Sequence, residues 1–195
     1  MDCSARMLPG LSKALGGTAV SAAQAKELLW GRLAEGGHVV LMRHASVASG
    51  PGSGSALLRD PSCLRERRLS DHGKAEARAL GQSFRRRGIP VGEVLHSPYC
   101  RTTATAHLAF ESGTPLAELT LLDALDPDDA SRHTATLRTL IASHHGRRNL
   151  ILVTHEPNIV ALTREHLAPA AFLVLQPRSG DFEALGLIGI HPSNQ

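Results

Sequence analysis

Short apolar runs alternate along this chain with longer stretches in which apolar residues recur every three or four positions. His38 to Met42 (HVVLM) and Leu150 to Thr154 (LILVT) are rich in β-branched residues and almost wholly apolar, as expected of strands buried on both faces of a parallel sheet. Val91 to His96 reads as another strand, and Leu116 to Leu122 is expected as one more. Phe172 to Leu175 and Phe182 to Ile190 read as two closing strands, a hairpin joined through Ser179-Gly180. Between them lie helical patterns. Ala22 to Ala34 carries Leu28, Leu29 and Leu33 on one side and is stopped by Gly36-Gly37. Asp71 to Arg87 is capped by Ser70, has Ala75, Ala79, Leu80 and Phe84 facing inward, and stops at Gly88. Ser97-Pro98 is expected as the cap and first-turn proline of a helix reaching Phe110. Asp128 or Asp129 is expected to cap a helix from Ala130 to His145, and Pro157 opens one reaching Leu167. Strand and helix alternate, which predicts an α/β fold with a mainly parallel sheet covered on both faces.

Between the first strand and the second helix, Ala45 to Cys63 carries Gly50, Pro51, Gly52 and Gly54 among several serines. It is too irregular for a strand or helix and longer than an ordinary connection, so it reads either as a lid over a site or as a disordered insertion.

With 195 residues, 42% of them hydrophobic and 20% charged, the chain has material for one domain with a real core. Residues 1–21 are expected as a flexible lead-in and 22–195 as the domain. Met7 to Ala25 is enriched in Ala, Leu and Gly, but Lys13, Gly16 and Gly17 interrupt it, so a lead-in is favoured over an export signal. The compartment stays open, with the cytoplasm slightly favoured over a bacterial periplasm. No apolar run approaches the roughly 18 residues of a membrane span. The formal charge of +3 owes part of its excess to Arg85, Arg86 and Arg87 at one helix end. With one Trp, one Tyr and four Phe there is little for bases to stack on, so no nucleic-acid partner is expected. Cys3, Cys63 and Cys100 form no CxxC pair and no even-numbered framework, although Cys63 and Cys100 could pair in an oxidising compartment. Neither a metal site nor an organic cofactor is expected, because the histidines show no ligand spacing such as HExxH.

In open parallel sheets ligands bind beyond the carboxyl ends of the strands, where helix N-termini also point. The first strand delivers Arg43-His44 to that edge, the second delivers Ser97 with Arg101 one helical turn further on, and the strand ending at Thr154 delivers His155-Glu156. Two histidines, two arginines and two helix starts would thus converge. Guanidinium forks and free helix N–H groups suit a phosphoryl group. Nearby arginines would disfavour an imidazolium at His44 and leave a lone pair for attack on phosphorus.

These residues resemble the histidine phosphatase superfamily, which includes the cofactor-dependent phosphoglycerate mutases. LMRHA at 41 to 45 looks like its RHG signature, and LSDHGKAEARALG at 69 to 81 is similar to its LTxxGxxQAxxLG segment. SPYCRTTATA at 97 to 106 matches its Ser, Arg and Thr-Ala spacing, and VTHEPNI at 153 to 159 resembles its second-histidine strand. The chain departs from the pattern at Ala45, where a glycine is usual, and at Ser46-Val47, where glutamate-threonine is usual.

The resemblance implies a three-layer α/β/α sandwich of the phosphoglycerate mutase-like kind. It implies His44 as the phosphorylated nucleophile, with Arg43, Arg101 and His155 binding the phosphoryl group. Two acids compete as proton donor: Glu156, beside the second histidine as in the second branch, is favoured over Asp123, which lies roughly where the first branch keeps its glutamate. The expected activity is hydrolysis of a small-molecule or sugar phosphomonoester, or of a phosphoprotein. The rivals are a mutase-like phosphotransferase and a non-catalytic phosphate-binding regulatory module.

Overall fold

A computed structural model describes residues 21–50 and 52–189, so the lead-in expected over residues 1–21 lies, Ser21 apart, outside the described residues. Five strands and a two-residue sixth form one sheet: β1 (Val39–Arg43), β2 (Val91–His96), β3 (Thr114–Pro115), β4 (Asn149–Thr154), β5 (Phe172–Arg178) and β6 (Asp181–Ile188). The order across the sheet is β3-β2-β4-β1-β5-β6. β1 and β2 flank β4 and β3 flanks β2, all as parallel neighbours, and β5 runs antiparallel to both β1 and β6. The helices are α1 (Ala22–Glu35), α2 (Asp71–Arg86), α3 (Cys100–Phe110), α4 (Pro127–Ala142) and α5 (Glu156–Thr163).

The alternation of side chains along the central strands builds two cores. Val40, Met42, Ile151 and Val153 pack with Trp30, Leu33, Leu80, Phe84 and Ala106, from α1, α2 and α3. Val39, Leu41, Leu150 and Leu152 face the other way, onto Leu137 and Ile141 of α4 and Ile159 and Leu162 of α5. The result is a three-layer α/β/α sandwich. On the first face Trp30 meets Phe84 and Phe172 edge-on, with ring centroids 5.3 and 5.7 Å apart.

The sequence expectations fail in specific places. Leu116 to Leu122 is not a strand: β3 stops at Pro115, and short 3₁₀ turns follow at Ala117–Leu119 and Leu122–Ala124. Leu119 and Leu121 are nevertheless buried, so their spacing of two imitated a strand in a segment that coils over the sheet end. Asp126, not Asp128 or Asp129, caps α4, its carboxylate accepting from both of their N–H groups. The helix then ends at Ala142, before His145. α5 stops at Thr163 because Arg164 turns left-handed. α2 buries Glu76, Ala77 and Gly81 with Leu80 and Phe84, whereas Ala75 is exposed.

Both glycines of α2 mark close backbone approaches. A Cβ on Gly73 would lie 1.8 Å from the Ser46 carbonyl oxygen, and one on Gly81 would lie 2.0 Å from that of Ala109. The first contact seats the helix start against the chain just after His44, and the second brings α2 onto α3. Gly81→Ala is therefore expected to lower stability by about 1–3 kcal/mol through overpacking. Gly31→Ala, on an exposed face of α1 with no atom within 4 Å, should raise it by about 0.5–1 kcal/mol. Urea denaturation of the two variants beside the parent checks this reversal.

Candidate active site

The parallel register that pairs Arg43 with Thr154 places the residues following β1 and β4 side by side. His44 N–H donates to the Thr154 carbonyl at 3.0 Å, and the rings of His44 and His155 lie edge to face with centroids 5.4 Å apart. α3 begins one short turn after β2 and brings Arg101 to the same place. Ser97 is not the helix cap: Tyr99 takes that position without a side-chain bond, and the Ser97 hydroxyl instead meets His155 Nε2 at 2.8 Å.

Hydrogen bonding fixes both histidine tautomers. His44 Nδ1 lies 2.8 Å from the Ala45 carbonyl, which can only accept, so Nδ1 carries the proton and Nε2 keeps its lone pair. Arg101 can only donate, so His155 Nδ1, 3.2 Å from Arg101 Nη2, is the acceptor and Nε2–H is given to Ser97. Burial, reinforced by Arg101 and Arg43, pulls the pKa of His44 down to about 3. Burial and the same neighbours hold that of His155 well below the ordinary range. Both rings are neutral at physiological pH.

A cavity of about 250 Å³ opens here, lined by Arg43, His44, Arg101, Asp123, His155 and Glu156 among others. All six residues singled out in the sequence are thus brought together. The sequence reading missed one further charged lining residue, Arg67. It lies in the run Arg65-Glu66-Arg67-Arg68, whose composition resembles any solvated charged stretch. An extended pairing decides the matter: Val47 bridges Leu69, and Ser55 bridges Glu66. Alternation along that segment turns Arg67 into this cavity and Arg68 away from it.

Six buried side-chain nitrogens among the described residues have no partner, and three of them are Arg43 Nε, Arg67 Nε and Arg101 Nη1. Each is a permanent donor, and leaving one buried and unpaired costs about 1–3 kcal/mol. Other contacts hold Arg43 and Arg101 in place. Arg43 Nη1 donates to the Leu167 carbonyl at 2.6 Å and pairs with Glu156. Arg101 Nη2 donates to the Ala56 carbonyl at 3.0 Å, and its guanidinium lies 4.4 Å from the centre of the Tyr99 ring. Three convergent guanidinium groups beside a neutral imidazole lone pair can hold a tetrahedral oxyanion and present a nucleophile to it.

The acids differ in their surroundings. Glu156 is engaged on both oxygens, by Arg43 at Oε2 and by His166 Nδ1 at Oε1, 3.0 Å away. Asp123, on the second 3₁₀ turn, is exposed at the cavity mouth with no ion-pair partner among the described residues. Among the described residues no three of His, Cys, Asp and Glu are grouped as a metal would require.

Cys63 and Cys100 form a disulfide with their Cα atoms 5.9 Å apart, which joins the long loop to the first residue of α3. The loop is ordered against the site, as a wall: besides the Arg101 bond at Ala56, the Tyr99 hydroxyl donates to the Leu57 carbonyl at 2.5 Å.

Residues 39–129 match the model of the histidine phosphatase superfamily (branch 1). No curated protein matches the sequence. The fold is similar to that of the protein histidine phosphatase SixA complexed with tungstate, at 20% identity over 78% of this chain and 96% of that one, with a TM-score of 0.56. It is also similar to a SixA-type phosphohistidine phosphatase structure from Agrobacterium tumefaciens, at 20% identity over 79% and 98%, TM-score 0.52. A third similar structure is phosphoserine phosphatase of Entamoeba histolytica in complex with 3-phosphoglyceric acid, at 12% identity over 80% and 98%, TM-score 0.58.

The depressed pKa of His44 has a consequence for folding. An unfolded imidazole takes up a proton below about pH 6.5, whereas the buried one refuses it until about pH 3, so acid favours the unfolded chain. Stability contributed above pH 6.5 is lost as pH falls through that window. His44→Asn removes this term, so the drop in unfolding free energy between pH 7 and pH 5 should shrink by about 2 kcal/mol, measured by denaturant titration at both pH values.

Proposed function

We propose that this chain, whose residues 39–129 match the model of the histidine phosphatase superfamily, is a phosphomonoester hydrolase working through a phosphohistidine formed on His44. The observation that carries the reading is the set of three buried, unpartnered guanidinium donors around a neutral imidazole whose Nε2 lone pair is free. A tetrahedral dianion satisfies all three donors at once, and the tungstate held by a SixA phosphatase of the same fold is itself such an oxyanion.

Arg43, Arg67 and Arg101 bind the phosphoryl oxygens and stabilise their charge in the transition state. His44 Nε2 attacks phosphorus in line with the ester oxygen, the P–O bond breaks, and the alcohol leaves with a proton. Water then attacks the phosphohistidine, its proton is taken up, and His44 leaves as the neutral imidazole. The Nδ1–H bond to the Ala45 carbonyl holds the ring in the reactive tautomer throughout. With both nitrogens engaged inside the protein, His155 contributes by holding Arg101 and supplying a second neutral ring. We assign the proton transfers to Asp123, because both oxygens of Glu156 are already taken by Arg43 and His166. Glu156 then serves to orient Arg43. Substrates are small-molecule or sugar phosphomonoesters, or a phosphorylated protein side chain.

His44→Ala should reduce turnover of an aryl phosphate by at least about a thousandfold. Turnover unchanged by that substitution would refute the mechanism, and isomerisation of a sugar phosphate without release of inorganic phosphate would favour a phosphotransferase. The donor assignment has its own signature. Asp123→Asn should slow an alkyl phosphate by about 10²–10⁴-fold and an activated aryl phosphate far less, because only the poor leaving group needs the proton. Glu156→Gln should weaken binding of both substrates alike; the opposite pattern would return the donor role to Glu156.

A further inference from the structure

The tip of the long loop, residues 56 to 65, has the polarity of a soluble surface turned inside out. Its base is closed by hydrogen bonds between Ser55 and the backbone of Arg65 and Arg67. Within it the acidic groups point inward. The Asp60 carboxylate accepts from Ser62 and from Arg65 N–H, and Glu66 accepts from the N–H groups of Asp60 and Cys100. These two carboxylic residues are only 8% and 1% exposed. Leu57, Leu58 and Leu64 are instead 54%, 38% and 77% exposed, three of the five large hydrophobic residues so exposed among the described residues. The disulfide from Cys63 ties the tip to the first residue of α3.

Arginines surround the leucines. Arg59 is exposed, as is Arg65, whose link to Asp60 is a loose 3.5 Å. Beneath Leu64 a cavity of about 810 Å³ is rimmed by Arg68, Lys74 and Arg78 over a floor of Leu69 and Leu108. Arg59, Arg68 and Arg78 have no carboxylate partner among the described residues.

We propose that this disulfide-braced tip is a membrane-docking surface, its leucines entering an anionic lipid bilayer while the arginines meet the headgroups. Exposed leucines gain by leaving water for lipid, and each basic residue near an anionic leaflet adds attraction. Three leucines interrupted by arginines fall well short of the roughly 800 Å² that a standard protein partner needs on each side. A fluid lipid surface takes up single side chains one by one. The docking does not depend on the chemistry proposed above.

The test is co-sedimentation of the full chain with phosphatidylcholine vesicles made with and without phosphatidylglycerol. The expected result is binding to the anionic vesicles, weakened by salt. The Leu58→Ser/Leu64→Ser and Arg59→Ser variants should each lose about tenfold in partitioning while keeping the parent's turnover of a soluble aryl phosphate. Failure of the parent to sediment with anionic vesicles would overturn the proposal, as would undiminished binding by the variants. If the leucine variant instead abolished self-association seen by sedimentation equilibrium, the surface would belong to a second copy of this chain and the membrane assignment would fall.

Discussion

Burying the guanidinium of Arg101 with no carboxylate in direct contact, Glu66 acting on it only from a distance, is the constraint around which this end of the molecule is organised. A buried charge lacking both partner and hydrogen bonds is strongly unfavourable, and here the groups that touch it are neutral. The Ala56 carbonyl, His155 Nδ1 and the face of Tyr99 each take a share. Each of these in turn must be fixed. Tyr99 is held by the Leu57 carbonyl, His155 by Ser97, and the loop that supplies Ala56 and Leu57 by the Cys63–Cys100 bond. In the loop-entropy model, a cross-link closing 37 residues contributes about 4 kcal/mol, enough to keep an irregular wall ordered beside an electropositive site.

The neutrality of the compensation matters chemically. A carboxylate on Arg101 would cancel its charge and raise the proton affinity of both histidines. Carbonyl and imidazole acceptors leave the positive charge intact, and together with burial it keeps His44 unprotonated. The same choice leaves Arg101 Nη1, Arg43 Nε and Arg67 Nε as donors without acceptors. Unpartnered donors on residues that line one cavity are a cost to the fold and an advantage to any anion that meets them.

How much of this was legible in the sequence follows from the burial of each segment. β1 and β4 are shielded on both faces, so their composition could not be anything but apolar, and the residues that follow them could be placed at one sheet edge. Ser97 was misread because a serine before a proline suits a helix cap as well as it suits a histidine partner, and only the third dimension chooses between them. The 117–124 segment deceived for the opposite reason: two leucines spaced by two look the same whether the chain between them is extended or coiled. Arg67 was invisible because its inward direction comes from pairing with a distant segment, through Val47 and Ser55, and not from its neighbours in the chain. The tip leucines were hidden for a related reason. Composition records that they are apolar, but only packing reveals that Asp60 and Glu66 have taken the interior.

The two acids carry this reasoning one step further. In sequence, Glu156 stands beside the second histidine and looks better placed than Asp123, yet proximity along the chain says nothing about what else a carboxylate must do. Arg43 sits at the end of β1 and lines the cavity with its Nε buried and unpartnered, and a guanidinium so placed needs an anchor at its other nitrogens. Glu156, at the start of α5, is the anchor within reach, and His166 closes its other oxygen. A carboxylate so engaged steadies Arg43 but, in the proposed mechanism, is poorly placed to pass a proton. Asp123 holds the complementary position, on a short 3₁₀ turn at the mouth, free of ion pairs among the described residues and open to water. In the proposed mechanism an acid in that situation can exchange protons with solvent between the two half-reactions, which is what a group that first gives a proton and then receives one has to do.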